Sequence, residues 1–330
     1  MRTTCCLTTA AALCLCCLFP AALSADESPG FTAGPAVQAL EPQRPSALTL
    51  PKAVLLGAIE GLTEFLPVSS TGHLAVAERF LGIGRTPAEK RAADAYAIVI
   101  QGGAILAVLL VSLGRIRSMI RGLLGRDRDG LRLLANLAIA FVPAAAIGLL
   151  LEPVRERLYG IWPIVGAWIV GGLLILLLVR ERSAGVRAGA GTPASAGKAL
   201  ESLTWRTSLV IGLAQAVAIW PGVSRSLVTI AAALLLGLSV PAAVEFSFLL
   251  GLITLGAATG YEAVKSGGEI VAAFGVVTPV VGFVVAAVCA FVAVRWMVSW
   301  LKTRSLSVFG WYRIGIGAVV AALALFGVVN

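Results

Sequence analysis

The chain has 330 residues, of which 58% are hydrophobic and only 13% are charged, and its mean hydropathy is +0.94. Soluble proteins carry about 25% charged residues, so this composition excludes an ordinary soluble domain. The net charge of +9 does not indicate a nucleic-acid-binding protein, because the basic residues lie in short segments beside apolar stretches and are not interleaved with aromatic residues.

The first 25 residues have the pattern of a secretory signal peptide. Arg2 precedes an apolar run, and small residues follow up to Ala25, where cleavage is predicted. An uncleaved extra helix is the alternative. Five of the six cysteines lie in this segment, so a cleaved chain keeps only Cys289. Residues 26–50 are rich in Pro, Ala, Gly and Ser, which predicts a disordered linker.

Beyond the linker, apolar stretches approach or exceed the roughly 18–20 residues that cross a bilayer core. They predict transmembrane helices at Ala95–Leu113, Leu131–Leu151, Ile161–Val179, Pro241–Ala263, Val276–Val294 and Ser307–Val329. A second segment of small residues, 183–204, predicts a flexible cytoplasmic loop. This loop divides the membrane part into a first half, 51–182, and a second half, 205–330.

The two halves open with similar segments. At a constant offset of 155 residues (224 − 69), the matching pairs are Gly57 and Gly212, Glu60 and Gln215, Val68 and Val223, Ser69 and Ser224, and Thr71 and Ser226. In both segments a proline interrupts a short apolar helix before a cluster of hydroxyl side chains. Interrupted helices in corresponding positions of two halves mark the binding site in inverted-repeat membrane proteins.

The predicted fold is therefore an all-α polytopic membrane protein. It is an inverted repeat of two five-helix halves, with six transmembrane helices and two re-entrant helical hairpins. The loops at 114–132, 180–206 and 295–304 share one side of the membrane and hold 14 Lys and Arg, whereas the opposite loops hold 7. The positive-inside rule places the richer side in the cytoplasm and the N-terminus outside. The two hairpins then enter from opposite sides, and their tips are predicted to meet near the midplane.

Ionisable side chains inside a membrane are costly and usually functional. The predicted membrane segments contain Glu60, Glu64, His73, Arg225, Glu245 and Arg313. Glu60 and Glu64 are four residues apart, so they share one helix face. This arrangement suits a divalent cation, or an acid–base group with a second carboxylate that orients it. Satisfaction of both by threonine or backbone partners is the structural alternative.

The other two motif charges suit an anion. His73, the only histidine, follows a predicted helix start, and helix N-termini favour anions. Arg225 lies between Ser224 and Ser226, and a guanidinium flanked by hydroxyls is suited to phosphate oxygens. Alternatively, this arginine pairs with Glu245 or with the carboxylates of the first hairpin. The combination favours phosphoryl transfer, in which positioning and charge neutralisation dominate catalysis.

Two runs carry a resemblance to a known family. The run from Glu60 to His73, EGLTEFLPVSSTGH, and the run from Trp220 to Ser226, WPGVSRS, resemble the signatures of the bacterial undecaprenyl-diphosphate phosphatase, or bacitracin-resistance, family. The similarity covers roughly residues 50–329. Leu227 departs from the pattern, because the family usually has glycine after Ser-Arg-Ser.

The resemblance implies hydrolysis of undecaprenyl diphosphate to the monophosphate and inorganic phosphate, which recycles the lipid carrier of cell-wall synthesis and gives bacitracin resistance. It also implies a site that faces the periplasm from the inner membrane and a divalent cation, Mg or Ca. The implied catalytic residues are Glu60, Glu64, Ser70, His73 and Arg225, with Glu60 and Glu64 as the metal ligands. The implied phosphate contacts are Ser69, Thr71, Ser224, Ser226 and Thr229.

On this basis we expect His73 to activate Ser70 or a water molecule for attack on the terminal phosphorus. Arg225 would stabilise the charge on the transferring group. The alternative function is a polyprenyl-phosphate transporter or flippase, which would not need the Ser–His–carboxylate set. Lipid phosphatases with acid-phosphatase chemistry are set aside because they use two histidines. A homodimer is compatible with the sequence.

Overall fold

The computed structural model describes residues 48–329, except 85, 156–159, 188–196 and 302–303. The predicted signal peptide and most of the predicted linker lie outside the described residues. Eleven α-helices are described: α1 (Leu50–Thr63), α2 (Ser70–Phe80), α3 (Pro87–Val111), α4 (Leu113–Leu123), α5 (Arg128–Arg155), α6 (Ile161–Arg187), α7 (Trp205–Gln215), α8 (Arg225–Leu235), α9 (Val240–Phe274), α10 (Val277–Trp300) and α11 (Ser307–Leu325). Two 3₁₀ turns, Leu200–Ser202 and Ala216–Ile219, complete the described elements.

Six helices, α3, α5, α6, α9, α10 and α11, are long and apolar enough to cross a membrane. The six predicted transmembrane stretches are thereby confirmed, and the chain is a multi-pass membrane protein. The predicted helix ends differ because polar residues extend the helices beyond their apolar parts. Helix α3, for example, begins eight residues before the predicted span, where Thr86 and Glu89 form a capping box.

The segments that open the two halves each form a pair of short helices in contact with one another, α1 with α2 and α7 with α8. The longest of the four, α1, has 14 residues. At a rise of 1.5 Å per residue it is about 21 Å long, too short for a bilayer core of about 30 Å. These two hairpins were predicted. Their entry from opposite sides of the membrane stays a prediction.

Contacts between helices repeat in the two halves. Helix α1 packs on α10, and its counterpart α7 packs on α5. In both contacts the helices approach each other at one of a pair of matched glycines. A Cβ added at Gly57 would lie 2.6 Å from the carbonyl oxygen of Gly282, and a Cβ added at Gly212 would lie 2.7 Å from the Cα of Ala140. Neither position has room for a side chain, so the backbones of each pair touch directly.

Three predicted loops differ from the structure. The loop predicted at 295–304 is helical up to Trp300, where α10 ends. The segment 114–132 is not a loop throughout, because it contains α4, which packs on α5. In the predicted loop 183–204, α6 continues to Arg187, and the end of the segment is packed against the protein. Leu200 and Leu203 are buried there, and Lys198 forms a backbone bridge with Leu238. Residues 188–196 lie outside the described part.

Candidate active site

The turn of each hairpin contains one strained serine. Ser69 and Ser224, which match at the 155-residue offset, have φ angles of 73° and 75°. Each is the N-cap of the second helix of its hairpin, and its Oγ accepts a hydrogen bond from the N–H three residues on, Gly72 at 3.4 Å and Leu227 at 3.2 Å. A non-glycine residue in this region costs on the order of 1–3 kcal/mol, and such strain concentrates at functional sites.

The two turns are in direct contact, as the sequence predicted for the hairpin tips. The hydroxyl of Ser226 on α8 donates to the carbonyl of Leu66 in the first turn at 2.8 Å. The Ser224 hydroxyl lies 2.9 Å from that of Ser226, so the second turn is joined to the first through both side chains. The residues of the two sequence motifs therefore form one site.

Glu64 lies at the centre of this site, and both of its carboxylate oxygens are used. Oε2 accepts a short hydrogen bond from the hydroxyl of Ser70, and Oε1 accepts one from Arg225 Nη2 at 3.3 Å. The Glu60 carboxyl lies against both Ser70 and Glu64. Both residues are buried, with exposures of only 2% and 8%. Ser70 is thus a hydroxyl with a carboxylate partner beside a guanidinium.

The guanidinium of Arg225 is buried and is contacted by several groups of the site. Nη1 donates to the carbonyl of Ser247 at 3.1 Å, and the group lies 5.4 Å from the ring centre of Phe65. Gly251 leaves the space that the guanidinium occupies, since an added Cβ would lie 2.6 Å from Arg225 Cζ. Within the described part of the chain the buried Nε has no hydrogen-bond partner. That N–H is a buried donor that lacks an acceptor among the described residues.

Of the two pairings that the structural alternative allowed for Arg225, the one with Glu245 is wrong, and the one with a first-hairpin carboxylate, Glu64, is confirmed. Glu245 instead accepts two hydrogen bonds from Arg115, at 2.7 and 3.1 Å. Arg115 also pairs with Glu201 at 3.0 Å. The closest carboxylate to Arg225 is the one on Glu64, which keeps this arginine in the motif cluster.

His73 is oriented by its own helix turn and by α11. Its Nδ1 lies 2.7 Å from the carbonyl of Ser69, which can only accept, so Nδ1 carries the hydrogen. Nε2 lies 2.8 Å from the hydroxyl of Tyr312, and the imidazole packs on Trp168 with ring centres 4.9 Å apart. The expected contact between His73 and Ser70 is therefore replaced: the Ser70 hydroxyl donates to a carboxylate, because the histidine ring is held between the turn carbonyl and α11.

The remaining predicted phosphate contacts divide into two groups. Thr229 is fully buried and shares a hydrogen bond of 2.7 Å with the hydroxyl of Ser247, so it supports the residue that holds the arginine. Thr71 is exposed, and among the described residues no hydrogen bond joins it to the cluster. The unusual Leu227 is buried and packs against Gly171 of α6.

Three residues at the site were not among the predicted ones. Trp168 donates from Nε1 to the carbonyl of Val68 at 2.9 Å, Tyr312 covers His73, and Ser247 holds the guanidinium. Trp168 and Tyr312 are single polar side chains on long apolar helices, and Ser247 acts through its backbone carbonyl, and all three lie outside both motifs. Their spacing along the chain carries no signal that would bring them to the hairpins.

A divalent cation fits the chemistry of the carboxylate pair. Within the described residues no group of three or more His, Cys, Asp or Glu could hold a metal. However, Glu60 and Glu64 together carry two negative charges when ionised, and Arg225 supplies one positive charge. Carboxylate oxygens are ligands for hard cations, which commonly fill their other positions with water and substrate phosphate. The pair therefore suits a cation that arrives with a phosphate substrate.

Comparison with known proteins agrees with these motifs. The family model described as bacitracin resistance protein BacA matches residues 53–319. The chain belongs to this family. The BacA match begins within α1 and ends within α11, so every residue of the site described above lies inside it.

Curated BacA relatives match over most of their length. The undecaprenyl-diphosphatase of Sorangium cellulosum is 45% identical over 270 residues, which cover 81% of this chain and 84% of the relative. Undecaprenyl-diphosphatase 2 of Rhodospirillum rubrum is 40% identical over a match that covers 84% of this chain and 96% of the relative. The undecaprenyl-diphosphatase of Methylococcus capsulatus is 39% identical over the same shares, 84% and 96%.

Proposed function

We propose that this protein hydrolyses undecaprenyl diphosphate to undecaprenyl phosphate and inorganic phosphate, and so recycles the lipid carrier of cell-wall synthesis and gives bacitracin resistance. The observation that carries the proposal is the buried Ser70–Glu64–Arg225 cluster at the contact of two strained turns. It combines a hydroxyl nucleophile, a proton acceptor and an anion-binding group. The names of the curated relatives support the choice of substrate.

In the first step, the Ser70 oxygen attacks the terminal phosphorus while its proton passes to Glu64, with which it already shares a hydrogen bond. The bond from that phosphorus to the bridging oxygen breaks, and undecaprenyl phosphate leaves. Arg225 stands beside the same carboxylate, and its unpaired Nε–H provides a hydrogen bond to the charge on the transferring group.

In the second step, water hydrolyses the phosphoserine, which breaks the Ser70 Oγ–phosphorus bond and releases inorganic phosphate, while Glu64 returns to the Ser70 oxygen the proton that it accepted in the first step. The Nδ1–H of His73 is fixed on a backbone carbonyl, so the basic lone pair of the ring is on Nε2, now next to the Tyr312 hydroxyl. His73 accepts the proton of the attacking water through that nitrogen. Direct attack by water on the lipid diphosphate is the alternative, and it would leave no phosphoserine.

The membrane-spanning helices beside the site present apolar side chains. A small apolar cavity between α6 and α8 is lined by Pro67 of the first turn and by Ile175, Leu227, Ile230 and Leu234. The distribution of basic residues supports an inner-membrane location with the site facing the periplasm. A homodimer stays a prediction.

Purified protein is expected to release inorganic phosphate from undecaprenyl diphosphate in detergent with Mg or Ca present. Arg225→Ala should lower the rate well over tenfold, because the transferring phosphoryl loses its charge-assisted donor. Phosphate release by the wild type with no loss in Arg225→Ala would reject the site. No phosphate release by folded wild type would reject the hydrolase and favour transport of lipid phosphate, which flipping of a labelled lipid in proteoliposomes would then reveal.

The second expected result concerns the divalent cation. Glu60 and Glu64 would hold it, and when bound it would neutralise negative charge on the substrate phosphate. Removal of divalent ions by a chelator should abolish phosphate release, and Mg or Ca should restore it. Glu60→Gln, which removes one anionic ligand, should raise the cation concentration for half-maximal activity by about tenfold or more. Unchanged activity in chelator, or an unchanged cation requirement in the variant, would contradict this assignment.

A further inference from the structure

Arg313 on α11 is a fully buried cation that is bound by backbone carbonyls. Its exposure is 0%, and in the described part of the chain no carboxylate forms an ion pair with it. The guanidinium donates to four carbonyls, those of Ala167, Trp168, Pro67 and Gly222, at distances of 2.7, 3.4, 3.2 and 2.9 Å. Burying a charge in this way is expensive, so such an arginine is rarely without a purpose.

Two of these acceptors identify what the arginine holds. Pro67 lies in the first hairpin turn, and Gly222 lies in the second. They match at the same 155-residue offset (222 − 67) that relates the two strained serines, Ser69 and Ser224. One guanidinium thus binds equivalent carbonyls two residues before each strained N-cap. The planar fork of arginine has enough separated donors for this, whereas the compact ammonium of lysine does not.

The other two acceptors tie the guanidinium to a transmembrane helix. The carbonyls of Ala167 and Trp168 belong to α6, and the Trp168 indole itself donates to Val68, the neighbour of Pro67. Gly171, one turn further along α6, provides the space for the guanidinium, since an added Cβ there would lie 2.8 Å from Arg313 Cζ. Through Arg313, both turns are therefore hydrogen-bonded to the same pair of packed helices, α6 and α11.

We propose that Arg313 is a positioning residue that holds the two hairpin turns in register, so that Arg225 from the second hairpin meets Glu64 and Ser70 from the first. The inference rests on the proposed phosphatase reaction for its effect on rate. Arg313 does not touch the Ser70 hydroxyl or the Glu64 carboxylate; it acts through the backbone of residues just before Ser69 and Ser224. Loss of the fork should relax both turns together and lower turnover more than substrate affinity.

Three variants test this. Arg313→Lys keeps the charge but not the fork, and Arg313→Met removes both. Gly171→Ala leaves Arg313 in place and displaces its guanidinium. Gly166→Ala is the matched control, because it lies on the same helix and an added Cβ meets nothing within 4 Å. Gly171→Ala would also approach Leu227 Cδ2, at 2.8 Å, so the double variant with Leu227→Ala isolates the effect on the arginine.

The measurements are amide hydrogen exchange of both turns and steady-state kinetics in detergent. In Arg313→Lys and Gly171→Ala, exchange should rise about tenfold or more in peptides covering both turns but not in α10, and kcat should fall about tenfold or more with KM within about threefold. The Gly166→Ala control should match wild type. Loosening of one turn only, uniform loosening of the bundle, or kinetics within twofold of wild type would overturn the proposal.

Amide hydrogen exchange also distinguishes a failure of the Arg313 proposal from a failure of the proposed phosphatase function. If wild type releases no phosphate, the proposed reaction is wrong, and paired loosening of the two turns still shows whether Arg313 holds them. If Arg313→Met does not fold, Gly171→Ala and Arg313→Lys decide the matter, because both keep a cation on α11.

Discussion

Glu64→Gln is expected to lower kcat for phosphate release by about 10³-fold, within the range for loss of a general base. One carboxylate oxygen now accepts from Ser70 and the other from Arg225. An amide has one acceptor and one donor end, so it can accept a hydrogen bond from only one of these two donors. With its oxygen toward the arginine, its NH₂ group faces the serine, and the hydroxyl must accept a hydrogen bond where it previously donated one. The variant can neither orient nor deprotonate Ser70.

The matched control is Glu201→Gln, which removes an exposed carboxylate paired with Arg115 at 3.0 Å and away from the site. Its kcat should remain within about twofold of wild type, since exposed ion pairs contribute little. Ser70→Ala separates the two nucleophiles. If it is as inactive as Glu64→Gln, serine attack stands; if it keeps near wild-type kcat while Glu64→Gln does not, water is the nucleophile. Near wild-type kcat in Glu64→Gln itself would remove the carboxylate from the reaction.

The transmembrane helices were predictable because their signal is contained within each segment. A helix surrounded by lipid must satisfy its backbone internally and present apolar side chains along its length, and both requirements appear as a long apolar run. Helix α4 was missed because it does not cross the membrane. Its sequence, LGRIRSMIRGL, has mean hydropathy too low for a span, and only its helical periodicity, with Met119 and Gly122 on the packed face, distinguishes it from a charged loop.

The site was predictable to the extent that its chemistry is local. The spacing of Glu60 and Glu64, the serines after the first proline and the Ser-Arg-Ser run all lie within the hairpins. The residue that partners each group was not predictable in the same way, because partners are chosen by tertiary packing. Arg225 had three candidate carboxylates in the sequence, and the structure pairs it with Glu64.

Residues that support the site from transmembrane helices had even less signal. Tyr312 and Trp168 are ordinary aromatic residues on apolar helices, and only the docking of α6 and α11 against the hairpins brings them to His73.

The geometry of the two hairpin turns, in contrast, had some signal in the sequence. Ser69 and Ser224 share a weak sequence match, yet their φ angles agree to within 2° (75 − 73), because the same backbone turn is built twice.

The second large effect is expected from a single methyl group. Gly251→Ala should lower kcat by about 10²-fold, because a displacement of about 1 Å in a catalytic group can cost that much. An added Cβ would lie 2.6 Å from Arg225 Cζ and would overlap Nη1. The guanidinium cannot retreat toward Phe65, whose ring it already packs against, or through the Ser247 carbonyl. It must therefore move relative to Glu64 and the transferring phosphoryl.

Gly256→Ala is the control for this prediction, since it makes the same change five residues later on α9, where an added Cβ meets nothing within 4 Å. Both variants exchange glycine for alanine in a helix, which by itself stabilises the helix by about 1 kcal/mol. Unfolding midpoints should therefore not fall in the control, and any loss of kcat specific to Gly251→Ala reports the arginine.

The decisive comparison is between the double variant, Arg225→Ala with Gly251→Ala, and Arg225→Ala alone. If the methyl group acts by displacing Arg225, the double variant should be no slower than Arg225→Ala alone, because there is no longer a guanidinium to displace. A further loss of tenfold or more in the double variant would mean that the methyl group damages the site by another route, and the placement of Arg225 would then not be what limits turnover.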